Sequence, residues 1–297
     1  MQQNPSINCT FRQLPFKQVD VFTAVPFKGN PVAVVLKGDG LTTEQMQSIA
    51  NWTNLSETTF VCEPTQAEAD YLLRIFTPKR ELPFAGHPTI GSAWAILQQG
   101  LIPKTPGRLI QECSKGLIDL RMTGQRLFFA LPNPVFSTPD VVQTSAVAVA
   151  LGLAVDEIKL SCIVDVGVSW FTLQLHSAEK VISLAPDMFL LAALGNEHFT
   201  GVSVFGLYEA GSAAAVEVRS FAPAVGVPED PVCGSGNGCV AALIRRHCIL
   251  AETSYRASRG RCTGRDGHVE VEYDIDGTIW LGGNVVTCVD GSINCFY

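Results

Sequence analysis

Twice in this chain a glycine stands beside a polar residue at the start of an apolar run. Gly86-His87 follows Pro83-Phe84-Ala85, and Gly234-Ser235 follows Glu229-Asp230-Pro231-Val232-Cys233. Backbone N–H groups at a helix start lack partners inside the helix, and the helix dipole favours an anion there. Gly86 and Gly234 are therefore candidate carboxylate cradles, or else glycines that only permit tight turns. An imidazolium is disfavoured at such a start, so His87 suits a neutral ring that donates or relays a proton, or a structural hydrogen bond. Ser235 occupies the matching place and could donate its hydroxyl to a substrate carboxylate. Asp230 could cap the helix start, orient an imidazole or hold a substrate amine. Cys233 is expected to have a lowered thiol pKa and to offer a base or nucleophile. Cys233-Gly234-Ser235-Gly236 lacks the first glycine of a G-x-S-x-G elbow, which excludes a hydrolase nucleophile.

These stretches belong to a repeat. Arg74-Ile75-Phe76-Thr77-Pro78 precedes the first, and Arg219-Ser220-Phe221-Ala222-Pro223 precedes the second, about 145 residues later. Val19-Asp20-Val21 and Val164-Asp165-Val166 stand at the same offset. In the first copy Ala85 takes the place of Cys233, so no second thiol completes a two-cysteine base pair. Glu57 lies in Asn54-Leu55-Ser56-Glu57-Thr58, between a helix end and a strand, and on pattern alone reads as a surface residue. His176, His198, His247 and His268 lie outside the polar mouths and read as structural or surface residues.

Alternation predicts strands at 16–22, 32–36, 58–62 and 71–76, then a Gly-turned meander over 108–131. Thr42 and Gln45 fit a capping box opening a helix to about Trp52, with Leu41 and Met46 as a staple. Further helices are expected at 89–99, near 145–151, at 186–194 and at 235–247. The helices after the two glycine turns are apolar on nearly every side and must be buried. Pro132-Asn133-Pro134 is the expected linker, dividing domains 14–131 and 135–297 behind a polar leader at 1–13. The last strand is free to cross back to the first domain. Helices do not alternate with single strands, so the pattern suits α+β with mostly antiparallel sheets.

Composition excludes several classes. Charged residues are 16% and hydrophobic residues 47%, which argues against disorder. A net charge of −7 with no basic block argues against nucleic acid and against anionic membranes. No apolar run reaches membrane-spanning length. Ten cysteines without a secretory signal or a C-x-x-C pair point to reduced, cytoplasmic thiols and to no metal site.

At Val19-Asp20-Val21-Phe22, Pro26-Phe27-Lys28-Gly29-Asn30-Pro31, Asn54-Leu55-Ser56-Glu57-Thr58, Phe76-Thr77-Pro78, Glu81-Leu82-Pro83-Phe84-Ala85-Gly86-His87-Pro88-Thr89 and Glu229-Asp230-Pro231-Val232 the chain resembles the phenazine-biosynthesis PhzF-like family, within the diaminopimelate-epimerase-like superfamily. The resemblance implies two similar α+β domains, each a curved, mostly antiparallel sheet around a central buried helix. It places the active site in the interdomain cleft and commonly implies a homodimer. It also implies isomerisation, without cofactor or metal, of a small cyclic or unsaturated carboxylic or amino acid. The family's founding substrate is trans-2,3-dihydro-3-hydroxyanthranilate. Carried over by motif, Glu57 is the acid/base, and His87, Asp230 and Ser235 are its polar support. Where the family commonly has Thr-Gly-Ser-Ala, this chain has Cys233-Gly234-Ser235-Gly236, and its polar leader is extra. An epimerase or racemase using Cys233 with Glu57 or His87, and a non-catalytic small-molecule binder on the same scaffold, are the competing readings.

Overall fold

The computed structural model describes residues 11–195 and 199–296. The expectations for the leader at 1–10 and for His198 lie outside the described residues. The chain begins β1 (Phe11–Val21), β2 (Asn30–Val35), α1 (Thr43–Thr53), β3 (Thr58–Cys62), β4 (Tyr71–Phe76), β5 (Glu81–Leu82) and α2 (Gly86–Gln98). A meander follows: β6 (Arg108–Cys113), β7 (Gly116–Thr123) and β8 (Arg126–Ala130). Next come β9 (Val135–Ser137), α3 (Val141–Leu151), β10 (Leu160–Asp165), β11 (Ser169–Gln174), α4 (Ala178–Ile182) and α5 (Met188–Leu194). The chain closes with β12 (Gly201–Leu207), β13 (Val216–Ala222), β14 (Val227–Asp230), α6 (Gly234–Arg246), β15 (Ser254–Arg259), β16 (Gly267–Tyr273) and β17 (Ile279–Phe296).

Local sequence explains most of these limits. Thr42 Oγ1 accepts from Gln45 N at 3.3 Å, and Gln45 Oε1 accepts from Thr42 N at 2.8 Å, so α1 starts at the expected capping box. α1 ends at Asn54, in the left-handed region at φ 54°. α2 starts at Gly86, three residues before the expected Thr89. Pro88 falls in its first turn, where the missing N–H has no helical partner to lose. α3 starts at Val141 rather than near Ser145, because Asp140 and Gln143 form a second reciprocal cap. α4, β5, β9, β14 and β15 were not anticipated. β1 begins at Phe11, inside the expected leader, because Phe11 to Gln13 pair with the far end of β17.

The order of pairings occurs twice. β1–β2, β3–β4, β6–β7 and β7–β8 are antiparallel, as are β10–β11, β12–β13, β15–β16 and β16–β17. Among the described residues four pairings are parallel: β2–β3 and β4–β6 in the first run, β11–β12 and β13–β15 in the second. Each parallel pair is bridged by helix, as a parallel connection requires. β17 also pairs with β8 and β1, joining the last strand to the first. α2 packs on β1, β2, β3, β8 and β17, and α6 on β10, β11, β12, β16 and β17. α6 is buried on all sides from Gly236 to Ile244. α2 is less enclosed: half-buried Trp94 reaches out to donate to Thr287 Oγ1 at 3.1 Å.

Side chains repeat as well. Arg74 on β4 donates to both carboxylate oxygens of Glu81 on β5, at 2.8 and 2.7 Å, and its guanidinium lies 5.2 Å from the Phe76 ring. Arg219 on β13 grips Glu229 on β14 in the same way, at 2.9 and 2.8 Å, 4.9 Å from the Phe221 ring. Each clamp ties down the short strand that leads into a glycine turn. The copies differ in burial: the Arg219–Glu229 side chains are 6% and 12% exposed, the Arg74–Glu81 side chains 25% and 31%. Stripping one partner from a buried pair leaves an uncompensated charge, whereas a wetter pair is screened. Arg219→Ala is expected to cost about 3–5 kcal/mol in urea unfolding and Arg74→Ala under about 1 kcal/mol. Equal losses would show that burial does not separate the two clamps.

Candidate active site

The starts of α2 and α6 touch. A methyl group placed on Gly234 would sit 3.4 Å from the His87 amide nitrogen and 3.8 Å from Gly86 Cα. One placed on Gly86 would lie 2.7 Å from the Phe129 ring. Position 86 therefore has no room for a side chain, whereas one at 234 would meet the start of α2 at ordinary contact distance. No side chain caps α2, whose cap position is Ala85, while α6 is capped by Cys233 Sγ, which accepts from Gly236 N at 3.3 Å.

Glu57 arrives from a separate element. The left-handed end of α1 turns the chain so that the Glu57 carbonyl accepts from Ala33 N and β3 begins at the next residue. Its side chain is 15% exposed, which corrects the surface placement read from pattern alone. Glu57 Oε2 lies 3.2 Å from His87 Nε2, but neither atom has a hydrogen-bond partner, so the contact is not aligned as one. Burial is the dominant influence on both. It raises the Glu57 carboxyl to about 7 against a weaker pull from Ser56, and lowers the His87 imidazole to about 4 against Asp230 and the Pro31 carbonyl.

Asp230 and His87 are bridged by Asn30, at the start of β2. Asn30 Nδ2 donates to Asp230 Oδ1 and to the Val232 carbonyl, each at 3.1 Å, and lies 3.4 Å from His87 Nδ1. Asp230 Oδ1 also accepts from Val232 N at 3.0 Å. Burial raises the Asp230 carboxyl first of all, with Glu57 pushing the same way and Arg259 and His87 opposing. Ser235 Oγ accepts from Trp170 Nε1 at 2.9 Å, which leaves its own proton to donate; Cys233 Sγ is 3.5 Å away. The Cys233 thiol is pushed up to about 12, mainly by burial and then by Asp230, reversing the expected lowering. Desolvation outweighs the helix start here, and the thiol stays protonated near neutral pH.

Glu57, His87 and Asp230 are thus linked, and Gly86, Gly234 and Ser235 stand at the two helix starts. Asn30 and Trp170 were missed. Asn30 lay in a motif that carried the family resemblance but was given no role, and nothing local ties Trp170 to a serine sixty-five residues away. Among the described residues no His, Cys, Asp and Glu side chains are grouped to hold a metal, and no helix is long and apolar enough to cross a membrane.

The inverted pair makes a prediction for stability. Glu57 titrates higher folded than unfolded, so its contribution is complete below its usual carboxylate range and is lost as pH rises through 7. His87 titrates lower folded than unfolded, so its contribution is present above its usual value and is lost as pH falls toward 4. The two slopes oppose one another between those limits. In Glu57→Gln only the His87 slope remains. Relative to wild type, the variant should gain about 1.4 kcal/mol per pH unit across the window, to a limit of about 3 kcal/mol. Urea unfolding of both proteins from pH 4.5 to 8 measures this, and superimposable profiles would refute it.

Over residues 19–291 the chain matches the family model PhzC-PhzF, described as phenazine biosynthesis-like protein. It is 40% identical over 290 residues to a Schizosaccharomyces pombe protein named Antisense-enhancing sequence 1, covering 93% of this chain and 97% of that one. It is 35% identical over 232 residues to the trans-2,3-dihydro-3-hydroxyanthranilate isomerase of Pseudomonas fluorescens, covering 77% and 79%. A crystal structure of a Bacillus anthracis phenazine biosynthesis protein of the PhzF family shares the fold, with a TM-score of 0.83 at 23% identity over 95% of this chain and 99% of that one.

Proposed function

The chain belongs to the phenazine biosynthesis-like PhzC-PhzF family and is an isomerase of that type, and from this premise we propose that it moves a proton within a small cyclic or unsaturated carboxylic or amino acid, with Glu57 as the acid/base. The observation that carries the reading is the Glu57 carboxyl: buried, raised to about 7, and 3.2 Å from His87 Nε2 beside two helix starts. A group titrating near neutrality can both take a proton and return it.

Each component then has a task. Glu57 removes a proton from a carbon activated by the conjugated acid and delivers it to another carbon, so the product is an isomer and no electrons leave. Negative charge developing on the substrate is met by the amides at the starts of α2 and α6, preorganised donors of the kind that lower such barriers most. Ser235 donates its hydroxyl to the substrate carboxylate, and Asp230, fixed by Asn30, holds an amino group. The chemistry requires neither cofactor nor metal, because one carboxylate carries the proton in both directions. The raised Cys233 thiol weighs against a thiolate racemase. We read residues 14–131 and 135–297 as two domains built around α2 and α6, with the substrate in the crevice between them. Family resemblance supports a homodimer, and the free thiols of the described cysteines support a reducing, cytoplasmic setting.

The test uses trans-2,3-dihydro-3-hydroxyanthranilate in heavy water, with anthranilate as the binding probe. Glu57→Gln is expected to lower deuterium incorporation by at least about a hundredfold, the usual scale of a lost general base. Anthranilate affinity should stay within a few-fold. Undiminished incorporation in the variant would rule Glu57 out as the base.

A further inference from the structure

A buried cation lies behind the turn from β14 to α6, and the proposed exchange leaves it without a task. Arg259, the last residue of β15, is 1% exposed. Its Nη1 donates to the Cys233 carbonyl at 3.0 Å and its Nη2 to the Asp230 carbonyl at 3.4 Å. Its Nε is buried without a hydrogen-bond partner. The guanidinium thus bonds main chain on both sides of Pro231-Val232: at the residue whose carboxyl faces the site, and at the residue that caps α6.

Desolvating such an ion costs several kcal/mol, and an apolar side chain of similar volume would fill the space without that cost. Packing alone therefore gives no reason for a charge here. The groups facing it do. Asp230 is surrounded by Glu57, His87 of α2, Cys233 and Arg259, and Arg259 is the cation that favours its ionised form. On the other side, Glu217 of β13 is also in its field. The guanidinium stands behind the α6 start, where its charge adds to the positive end of the helix.

We propose that Arg259 is a positioning residue for the exchange: its paired carbonyl bonds fix the Asp230–Cys233 turn, and its buried charge acts on the Asp230 carboxyl and strengthens the α6 start as a carboxylate cradle. Arg259 does not touch substrate and acts through Asp230 and the helix start. The inference rests on the proposed reaction, but part of its test does not.

Arg259→Gln and Arg259→Lys are made in the full chain. The Asp230 carboxyl is titrated by carbon NMR without ligand, anthranilate binding is measured at fixed salt, and deuterium incorporation is followed against pH. Arg259→Gln should raise the Asp230 titration by about one unit or more and weaken anthranilate about tenfold. Arg259→Lys should keep the titration within about 0.3 unit of wild type while lowering kcat, since an ammonium is a point charge that does not match two carbonyls at once. A lysine variant shifted as far as the glutamine variant, or a glutamine variant that titrates and binds like wild type, would overturn the proposal even if both melt earlier. Should Arg259→Gln not fold, the lysine variant decides alone: a retained titration supports the charge role and a shifted one removes it. If wild type exchanges no deuterium, the reaction reading fails while the NMR titration still judges Arg259.

Discussion

The site depends on two helix starts being brought into contact. Each carries roughly half a positive charge, so at about 5 Å in a medium of effective dielectric near 20 they repel by on the order of 1 kcal/mol. That is small beside the cost of desolvating the carboxyls packed around them, which is what moves Glu57 to about 7 and raises Asp230. The ordering of these two costs decides the character of the site. A carboxyl that burial pushes toward neutrality, as at Glu57, cannot fully satisfy two positive ends, which in the proposed function leaves them to an incoming carboxylate. The need for glycine at 86 follows from the packing around that start, since a side chain there would have to displace Phe129.

Contact between two helices from distant parts of the chain needs rigid approaches on both sides. The paired clamps provide them. Arg74–Glu81 and Arg219–Glu229 fasten β5 and β14, the short strands from which each glycine turn departs. The second clamp does more. Arg219 Nη1 also donates to the Leu184 carbonyl at 2.7 Å and the Val181 carbonyl at 3.2 Å, so the end of α4 is anchored to the strand that carries Asp230. The copy bearing Asp230 is thus the more deeply fixed of the two. The copy bearing His87 relies instead on Asn30, whose bonds to Asp230 and Val232 tie the first run of strands to the second.

Local chemistry was legible in the sequence, and long-range geometry only where it repeats. Thr42 with Gln45 marked α1 because both halves of a capping box lie within one turn. The duplicated Arg-x-Phe and glycine turns marked the two helix starts because the same chemistry is written twice. Pro88 misled the start of α2, since its helix-breaking effect does not apply in a first turn. Glu57 looked exposed because nothing in Ser56-Glu57-Thr58 reports that α2 will cover it. Arg259 and Trp170 act on residues far along the chain, and their types alone carry no sign of those partners. The Cys233 error was one of magnitude rather than of mechanism: the helix start does favour a thiolate, but enclosure on every side outweighs it.

The order of proton affinities distinguishes this pair from an ordinary glutamate–histidine contact. Usually the carboxylate is the weaker base and the imidazole takes the proton. Here burial reverses the order, raising Glu57 to about 7 and lowering His87 to about 4. The ring sits between two polar neighbours: Nδ1 lies 3.4 Å from the Asn30 amide, and Nε2, without a hydrogen-bond partner, lies 3.2 Å from Glu57 Oε2. In the proposed exchange that order favours keeping the proton on the oxygen that must return it rather than passing it to the ring.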